Sequence, residues 1–397
     1  MVKAYTQLLM KKYITGRGAI SSLGNMGRKR AAIVLDRGVV SPENLDKITG
    51  YLKDGGTEYQ VVADIRTEPY FKDILKARQT VNEFQPDMIV AIGGGSVMDT
   101  AKALWLFYEH PEMPFEDAFK PFQLPPTTGK AIIVAVPTTS GTGSETTSCA
   151  VFTNQDTNQK SLMLGNNLIP EYAILDADFT DTLPDHIAAQ TGMDALTHAM
   201  EASVSANTSP MVVTLAISAA LDMFEYLPIS AGTGAEGTSK YEARERCHNA
   251  ASLAGVAITN SFCGLAHACD QPGSFFKLPH GLVCGMFLPY TTALASPHPT
   301  YAAVARRLGC NGKTEAELCS QLVDHLWSFT EKMGLCHSFK ELNIDETAYM
   351  EQLPLFVKAA CESMSSKLSP HPLDEVSATR LFKDIYYGIK PEVEKNR

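Results

Sequence analysis

The first part of the chain alternates short apolar runs with stretches in which apolar residues recur every three or four positions. "RKRAAIVLD", "YQVVA", "DMIVAIGGGS" and "KAIIVAVPTT" are aliphatic and β-branched runs, whereas "ENLDKITGYLKDGG" and "FKDILKARQTVNEF" have helical spacing. Continuously apolar strands between amphipathic helices are expected to form a mostly parallel sheet covered on both faces, a doubly wound α/β domain over residues 1–184. From Asp185 the pattern changes. "DHIAAQTGMDALTHAMEASVSA", "PMVVTLAISAALDMFEYL", "KYEARERCHNAASLAGVAITNSF", "TEAELCSQLVDHLWSFTEKMG" and "DEVSATRLFKDIYYG" all place apolar residues at helical spacing, so residues 185–397 are expected to be an all-α domain. The stretch "ISAGTGAEGTSK" reads as an inter-helix loop.

Composition narrows the function classes. The formal charge of −10 gives no basic footprint for nucleic acid or for an anionic membrane surface, so the expected partners are small molecules. No run of about 18 apolar residues stands out as a membrane span. The start, "MVKAYTQLLMKKYITGRG", lacks a separate apolar region with a small-residue cleavage site, and a cytoplasmic protein is expected. Nine cysteines without a C-x-x-C pair argue for reduced thiols rather than a disulfide framework or a zinc ribbon.

Two strand ends in the first domain carry candidate chemistry. In "MIVAIGGGSVMDTAK" a strand runs into Gly93, Gly94, Gly95 and Ser96 and then into a helix bearing Asp99 and Lys102. Such a turn lets a phosphate approach free N–H groups at the helix start, although a plain tight turn has the same composition. The loop "VPTTSGTGSETTS" interleaves Thr138, Thr139, Thr142, Ser144, Thr146 and Thr147 with Gly141 and Gly143, which suits a hydroxylated or phosphorylated ligand at the carboxyl edge of a parallel sheet. Asp36, ending "AAIVLD", either accepts hydrogen bonds from a ribose and disfavours a 2′-phosphate, or starts a turn.

In the second domain, Asp194 and His198 in "TGMDALTHAMEA" lie four apart on one helix face and form half of a divalent-metal site, or else a local hydrogen bond. His267 and His280 in "GLAHACDQPGSFFKLPHG" would supply the other half. One carboxylate and three imidazoles suit Fe²⁺, Zn²⁺, Co²⁺ or Mn²⁺ alike.

Together "GGGSVMDTAK", "PTTSGTGSETT", "TLPDHIAAQTGMDALTHAMEA" and "LPHG" resemble the iron-containing (group III) alcohol dehydrogenase family, which is related to glycerol dehydrogenase and dehydroquinate synthase. The similarity runs from "YITGRGAISSLG" to "KAACESMSSKLSPHPL". The resemblance implies the dehydroquinate synthase-like fold, with an NAD-binding α/β domain, a helical metal-binding domain and an active site in the cleft between them. It also implies an NAD(H)-linked, metal-dependent oxidoreductase on short alcohols or aldehydes, assembled as a homodimer or larger oligomer. Cofactor contacts would fall on Asp36, Gly94, Gly95, Ser96, Asp99, Thr138, Thr139, Thr142, Thr147 and Lys160, and the metal and catalytic set on Asp194, His198, His267 and His280. Family members commonly have a further histidine four residues after the third ligand and 14 residues to the fourth. Here the spacing is 280 − 267 = 13, and Gln271 or Asp270 stands in the histidine's place. Pocket positions would be Cys149, Ile258, Phe262 and Cys361, with Lys277 either anchoring an acidic substrate tail or solvated at the surface. A small acidic aldehyde, a polyol, a lyase reaction on the same scaffold and a scaffold without catalysis are the alternatives.

Overall fold

The computed structural model describes residues 7–66, 70–153, 160–234 and 237–393, apart from the side chains of Thr153 and Lys160. The chain divides into an α/β unit, Leu9–Leu183, and a helical unit from Pro184 onward that also takes in Leu8, so the α/β domain expected from residue 1 starts later than its sequence suggests. The α/β unit holds β1 (Lys12–Thr15), β2 (Arg30–Leu35), α1 (Pro42–Asp54), β3 (Glu58–Asp64), α2 (Phe71–Phe84), β4 (Met88–Gly93), α3 (Gly95–Glu109), β5 (Ile132–Pro137), β6 (Cys149–Thr153), β7 (Lys160–Leu164) and β8 (Tyr172–Leu175). Six of these strands form one sheet in the order β1-β8-β5-β4-β2-β3, and every pairing in it is parallel.

The continuous apolar runs follow from coverage on both faces. Alternate residues of the central strands fall into two different cores: Ala32, Val34, Ile89, Ala91, Ile133 and Ala135 pack with α2 and α3, whereas Ala31, Ile33, Leu35, Val90 and Ile92 pack with Ile48 and Leu52 of α1. A strand buried on both sides has no polar face to alternate with. The antiparallel hairpin β6–β7 was not expected, because "SCAVFT" looks like the tail of the preceding hydroxylated loop.

The helical unit contains α4 (Asp185–Val204), α5 (Pro210–Ser230), α6 (Lys240–Asn260), α7 (Leu265–Ala268), α8 (Gln271–Phe275), α9 (His280–Leu294), α10 (Pro299–Arg307), α11 (Glu315–Lys332), α12 (Glu346–Glu362), α13 (Met364–Lys367) and α14 (Glu375–Tyr387). One expectation needs correction: α5 is long and apolar enough to cross a membrane by length and composition. Its residues Ala219, Ala220, Met223 and Leu227 join Leu196 and Met200 of α4 and Cys247, Ala251 and Ala254 of α6 in one core, and 44% of its most apolar window is buried. Helix α9 had no legible period for a similar reason, since every residue from Leu282 to Ala293 is buried.

Candidate functional site

Helix α4 presents Asp194, His198 and Glu201 at successive turns of one face. Helix α7 brings in His267, and α9 begins with His280 itself, capped by Pro279. The Pro-His-Gly turn has a packing cause. A Cβ at Gly281 would overlap the Gln190 carbonyl oxygen and sit 3.3 Å from the Asp194 Cβ, so only glycine lets the first turn of α9 close onto α4.

Three imidazole nitrogens consequently surround one carboxylate oxygen. The Nε2 atoms of His267 and His280 each lie 3.5 Å from Asp194 Oδ1, and His198 Nε2 lies 3.8 Å from it. The His198 and His267 rings are stacked, with centroids 4.5 Å apart. These separations are long for hydrogen bonds, and Asp194 Oδ1 and His267 Nε2 are buried without one. They match a coordination polyhedron instead: ligand atoms about 2.0–2.2 Å from a common ion at the tetrahedral angle stand about 3.4 Å apart. The donors present fit a divalent metal, and Asp194, which is 2% exposed, would otherwise be a buried anion with no hydrogen bond to that oxygen.

Two more carboxylates hold the imidazoles in place. Glu201 Oε2 is 2.6 Å from His267 Nδ1, and the same carboxylate accepts from the backbone N–H groups of Gly264 (2.8 Å) and Ala266 (2.6 Å), capping α7. Asp270 Oδ2 is 3.1 Å from His280 Nδ1. Each pairing turns Nε2 toward Asp194, the arrangement that fixes the ring and raises ligand basicity at metal sites. Glu201 was missed in the sequence although it sits seven residues beyond Asp194, because a lone glutamate on a helix ordinarily faces solvent. Replacing Glu201 by Gln is expected to weaken metal binding about 10–100-fold while Asp194 and the imidazoles remain, a change that titration with a competing chelator measures. Unaltered affinity would remove Glu201 from the site.

Electrostatics agree with a cation site. Burial favours the neutral acid at Asp194, but His198, His280 and His267 outweigh it and hold the carboxyl well below the usual range. Burial lowers His198 to about 4, with His267 and His280 adding to the shift and Asp194 opposing it, so this ring is neutral at pH 7, the form able to accept a metal ion. Burial also works against a charge on His267, yet Cys263, Cys284, Glu201 and Asp194 together raise it well above the ordinary imidazole value. Without an ion, a proton on His267 answers the buried carboxylates, and a divalent metal supplies the same countercharge.

In the α/β unit, β4 and β5 are paired in register up to Gly93 and Pro137, which sets the two candidate loops side by side. A Cβ at Gly93 would overlap the Val97 side chain, and one at Gly95 would meet Thr142 at 3.0 Å, so the turn stays open only with glycine. Gly94 caps α3, Thr139 lies against it, and Ser96 is in the first helical turn. Thr138 is fully buried, and its hydroxyl has no hydrogen-bond partner among the described residues.

The hydroxylated loop is clamped from α3. Lys102 Nζ donates to the Thr147 carbonyl and hydroxyl oxygens (both 3.0 Å) and to the Cys149 carbonyl (2.7 Å). Asp99 accepts from Ser144 Oγ (2.6 Å) and from the Val151 N–H (2.8 Å). Asp99 and Thr147 thus reach the loop and helix rather than open solvent. Asp36 follows β2 and accepts from the Gly38 N–H at 2.7 Å through Oδ1, so it makes the turn that the sequence also allowed. Lys160 opens β7 opposite Thr153, and its side chain lies outside the described residues.

Of the expected pocket positions, Cys149 begins β6 in the α/β unit, and the others belong to the helical unit. Ile258 packs in a small core with Ala202, Val212, Ala216 and Ala257. Phe262 follows the end of α6 with φ 149°, a value that a bulky residue rarely adopts. Cys361 is half-buried against the core around Phe356 and Phe382. Lys277 is exposed and forms no ion pair among the described residues, as a solvated lysine would.

Comparison with known proteins converges on the same reading. Residues 10–177 match the iron-containing alcohol dehydrogenase model, and residues 188–386 match the C-terminal model of the Fe-containing alcohol dehydrogenase family. The NADPH-dependent butanol dehydrogenase of Clostridium saccharobutylicum is 35% identical over 94% of this chain and 96% of its own length. The bifunctional aldehyde-alcohol dehydrogenase of Escherichia coli (strain K12) is 34% identical over 91% of this chain, which spans only 43% of that longer protein. The iron-containing alcohol dehydrogenase of Thermococcus thioreducens has the same fold, with a TM-score of 0.87, 29% identity and 97% and 100% of the two chains covered. With both halves matched and a full-length relative at this identity, the chain belongs to the iron-containing alcohol dehydrogenase family and is an alcohol dehydrogenase and aldehyde reductase.

Proposed function

We propose that this chain interconverts short aliphatic alcohols and aldehydes with NAD(H) and a divalent metal held by Asp194, His198, His267 and His280. The observation that carries the reading is the convergence of three Nε2 atoms on Asp194 Oδ1 at 3.5–3.8 Å. When bound, the metal supplies Lewis acidity to the substrate oxygen, and the nicotinamide supplies or accepts the hydride. The protein's own residues do the positioning. Glu201 and Asp270 hold His267 and His280 through their Nδ1 atoms, which keeps both Nε2 atoms directed at Asp194. The start of α3 at Gly94, Gly95 and Ser96 offers unpaired N–H groups to a pyrophosphate, with the hydroxyls of Thr138, Thr139 and Thr142 beside it. Asp36, at the end of β2, hydrogen-bonds the adenosine ribose and repels a 2′-phosphate.

The test is net NADH oxidation by Fe²⁺-reconstituted protein with aldehydes from acetaldehyde to butanal, run in parallel with NADPH. NADH should be preferred, and Asp36→Ala should narrow that preference. A preference for NADPH in the unaltered protein, as the name of the butanol dehydrogenase relative states for that enzyme, would overturn the cofactor choice. NADH recycled without net consumption would instead indicate a lyase.

A further inference from the structure

A charged cluster stands at the carboxyl ends of β2 and β3, beside the turn made by Asp36. The two strands run parallel, and β3 carries one extra residue, Val62, where the register shifts opposite Ile33 and Val34. That residue brings Asp64 level with Leu35, and the Ile65 N–H donates to the Leu35 carbonyl at 2.8 Å. One carboxylate consequently reaches two arginines. Asp64 Oδ1 accepts from the Arg37 N–H at 3.0 Å, while Oδ2 accepts from Arg66 Nε at 3.1 Å and lies 3.0 Å from its Nη2. Arg37 Nε stands 4.0 Å from the same Oδ2. We propose that Asp64 is a second determinant of cofactor choice: by pairing with Arg37 and Arg66 it withholds two guanidiniums that would otherwise hold the 2′-phosphate of NADP(H). This rests on the reading that the turn at Asp36 faces the adenosine ribose, and it names what else acts there.

The chemistry follows from what a 2′-phosphate brings. It adds about −1.5 to −2 charge at pH 7 and three acceptor oxygens, and a guanidinium fork matches them bidentately. An arginine near the ribose end is the ordinary means of accommodating that group. The side chains of Arg37 and Arg66 are 48% and 60% exposed, so both are open to a ligand at the strand ends. Asp64 engages them first. Burial favours its neutral acid, but the Arg37 N–H and then the Arg66 guanidinium outweigh it and hold the carboxyl below its ordinary range, so it is charged at pH 7. Asp64 in turn raises Arg66, and Asp36 adds to the shift, so this guanidinium lies within electrostatic reach of both carboxylates. Among the described residues of the cluster, two carboxylates therefore cancel two guanidiniums. Removing the Asp64 charge alone leaves an excess of positive charge and releases Nε and Nη2 of Arg66.

Nucleotide fragments test the inference without turnover. Calorimetry on the full chain should show 5′-ADP bound more tightly than 2′,5′-ADP. Asp64→Asn keeps the volume and an acceptor for the Arg37 N–H. It should raise 2′,5′-ADP affinity about tenfold, the low end for hydrogen bonds between charged groups, while 5′-ADP affinity does not rise with it. Asp64→Ser should give the same gain, so that a folding defect in one variant does not decide the matter. Adding Arg66→Gln to Asp64→Asn should cancel most of it, and the ratio of kcat/KM for NADPH over NADH should follow the two affinities. A clamp that only supports the fold would weaken both nucleotides together. That outcome, or a gain that survives Arg66→Gln combined with Arg37→Gln, would overturn the inference. Asp36→Ala separates it from the reading beneath it. If that substitution leaves both affinities unchanged, the turn does not face the ribose and both fail, whereas a response to Asp36→Ala without one to Asp64→Asn removes Asp64 alone.

Discussion

Asp194→Ala is expected to leave a folded protein that no longer retains its metal and whose kcat/KM with any aldehyde falls by about 10³-fold or more, beyond the loss from one electrostatic contact in an active site. Asp194 Oδ1 is the shared vertex of the cluster, within 3.8 Å of all three imidazoles. Without it, the rings face one another with Glu201 as the remaining buried carboxylate against His267, on the side away from the ion. Asp194→Asn, which keeps the volume and removes the charge, should be equally inactive if the carboxylate acts as a ligand rather than as packing. Metal content by atomic emission and kcat/KM decide the matter. A variant that is metal-loaded and active would exclude Asp194 as a ligand.

Lys102→Met is expected to have the next largest effect, and on a different property. The ammonium is completely buried and donates to oxygens of Thr147 and Cys149, so a methionine leaves those acceptors unpaired inside the protein. Burial favours the neutral acid at Asp99, and the Lys102 charge is one of the influences opposing it, so the substitution also removes a partner from a buried acid. Each buried acceptor left unpaired in this way costs about 1–3 kcal/mol. Urea denaturation should register this loss, and the KM for the nicotinamide cofactor should rise more than kcat changes, because the loop carrying Thr142 and Thr147 is released from α3. Unchanged stability would show that the clamp is dispensable.

The two domains were legible from the sequence because their cause is local: a strand covered on both faces must be apolar throughout, and a half-buried helix must be striped. The pairing of Asp194 with His198 was legible for the same reason, since four residues are about one helical turn. Residues linked only through tertiary structure were not. Glu201 becomes informative once Gly264 folds back onto it and α7 delivers His267. The one-residue shortening between His267 and His280 did not displace His280, because α9 starts at His280 and Gly281 closes it against α4. Asp270, in the segment that departs from the family pattern, contacts His280 Nδ1.

The common helix of Asp194, His198 and Glu201 also bears on how fast an ion could leave. All three side chains are buried and grow from adjacent turns of a 20-residue helix, every residue of which from Gly192 to Val204 is buried. No loop fluctuation separates Asp194 from His198, whereas His267 and His280 come from α7 and the first turn of α9, and the His280 side chain is 38% exposed. The dwell time of an ion held there would accordingly follow the motions of α7 and of the first turn of α9 before those of α4.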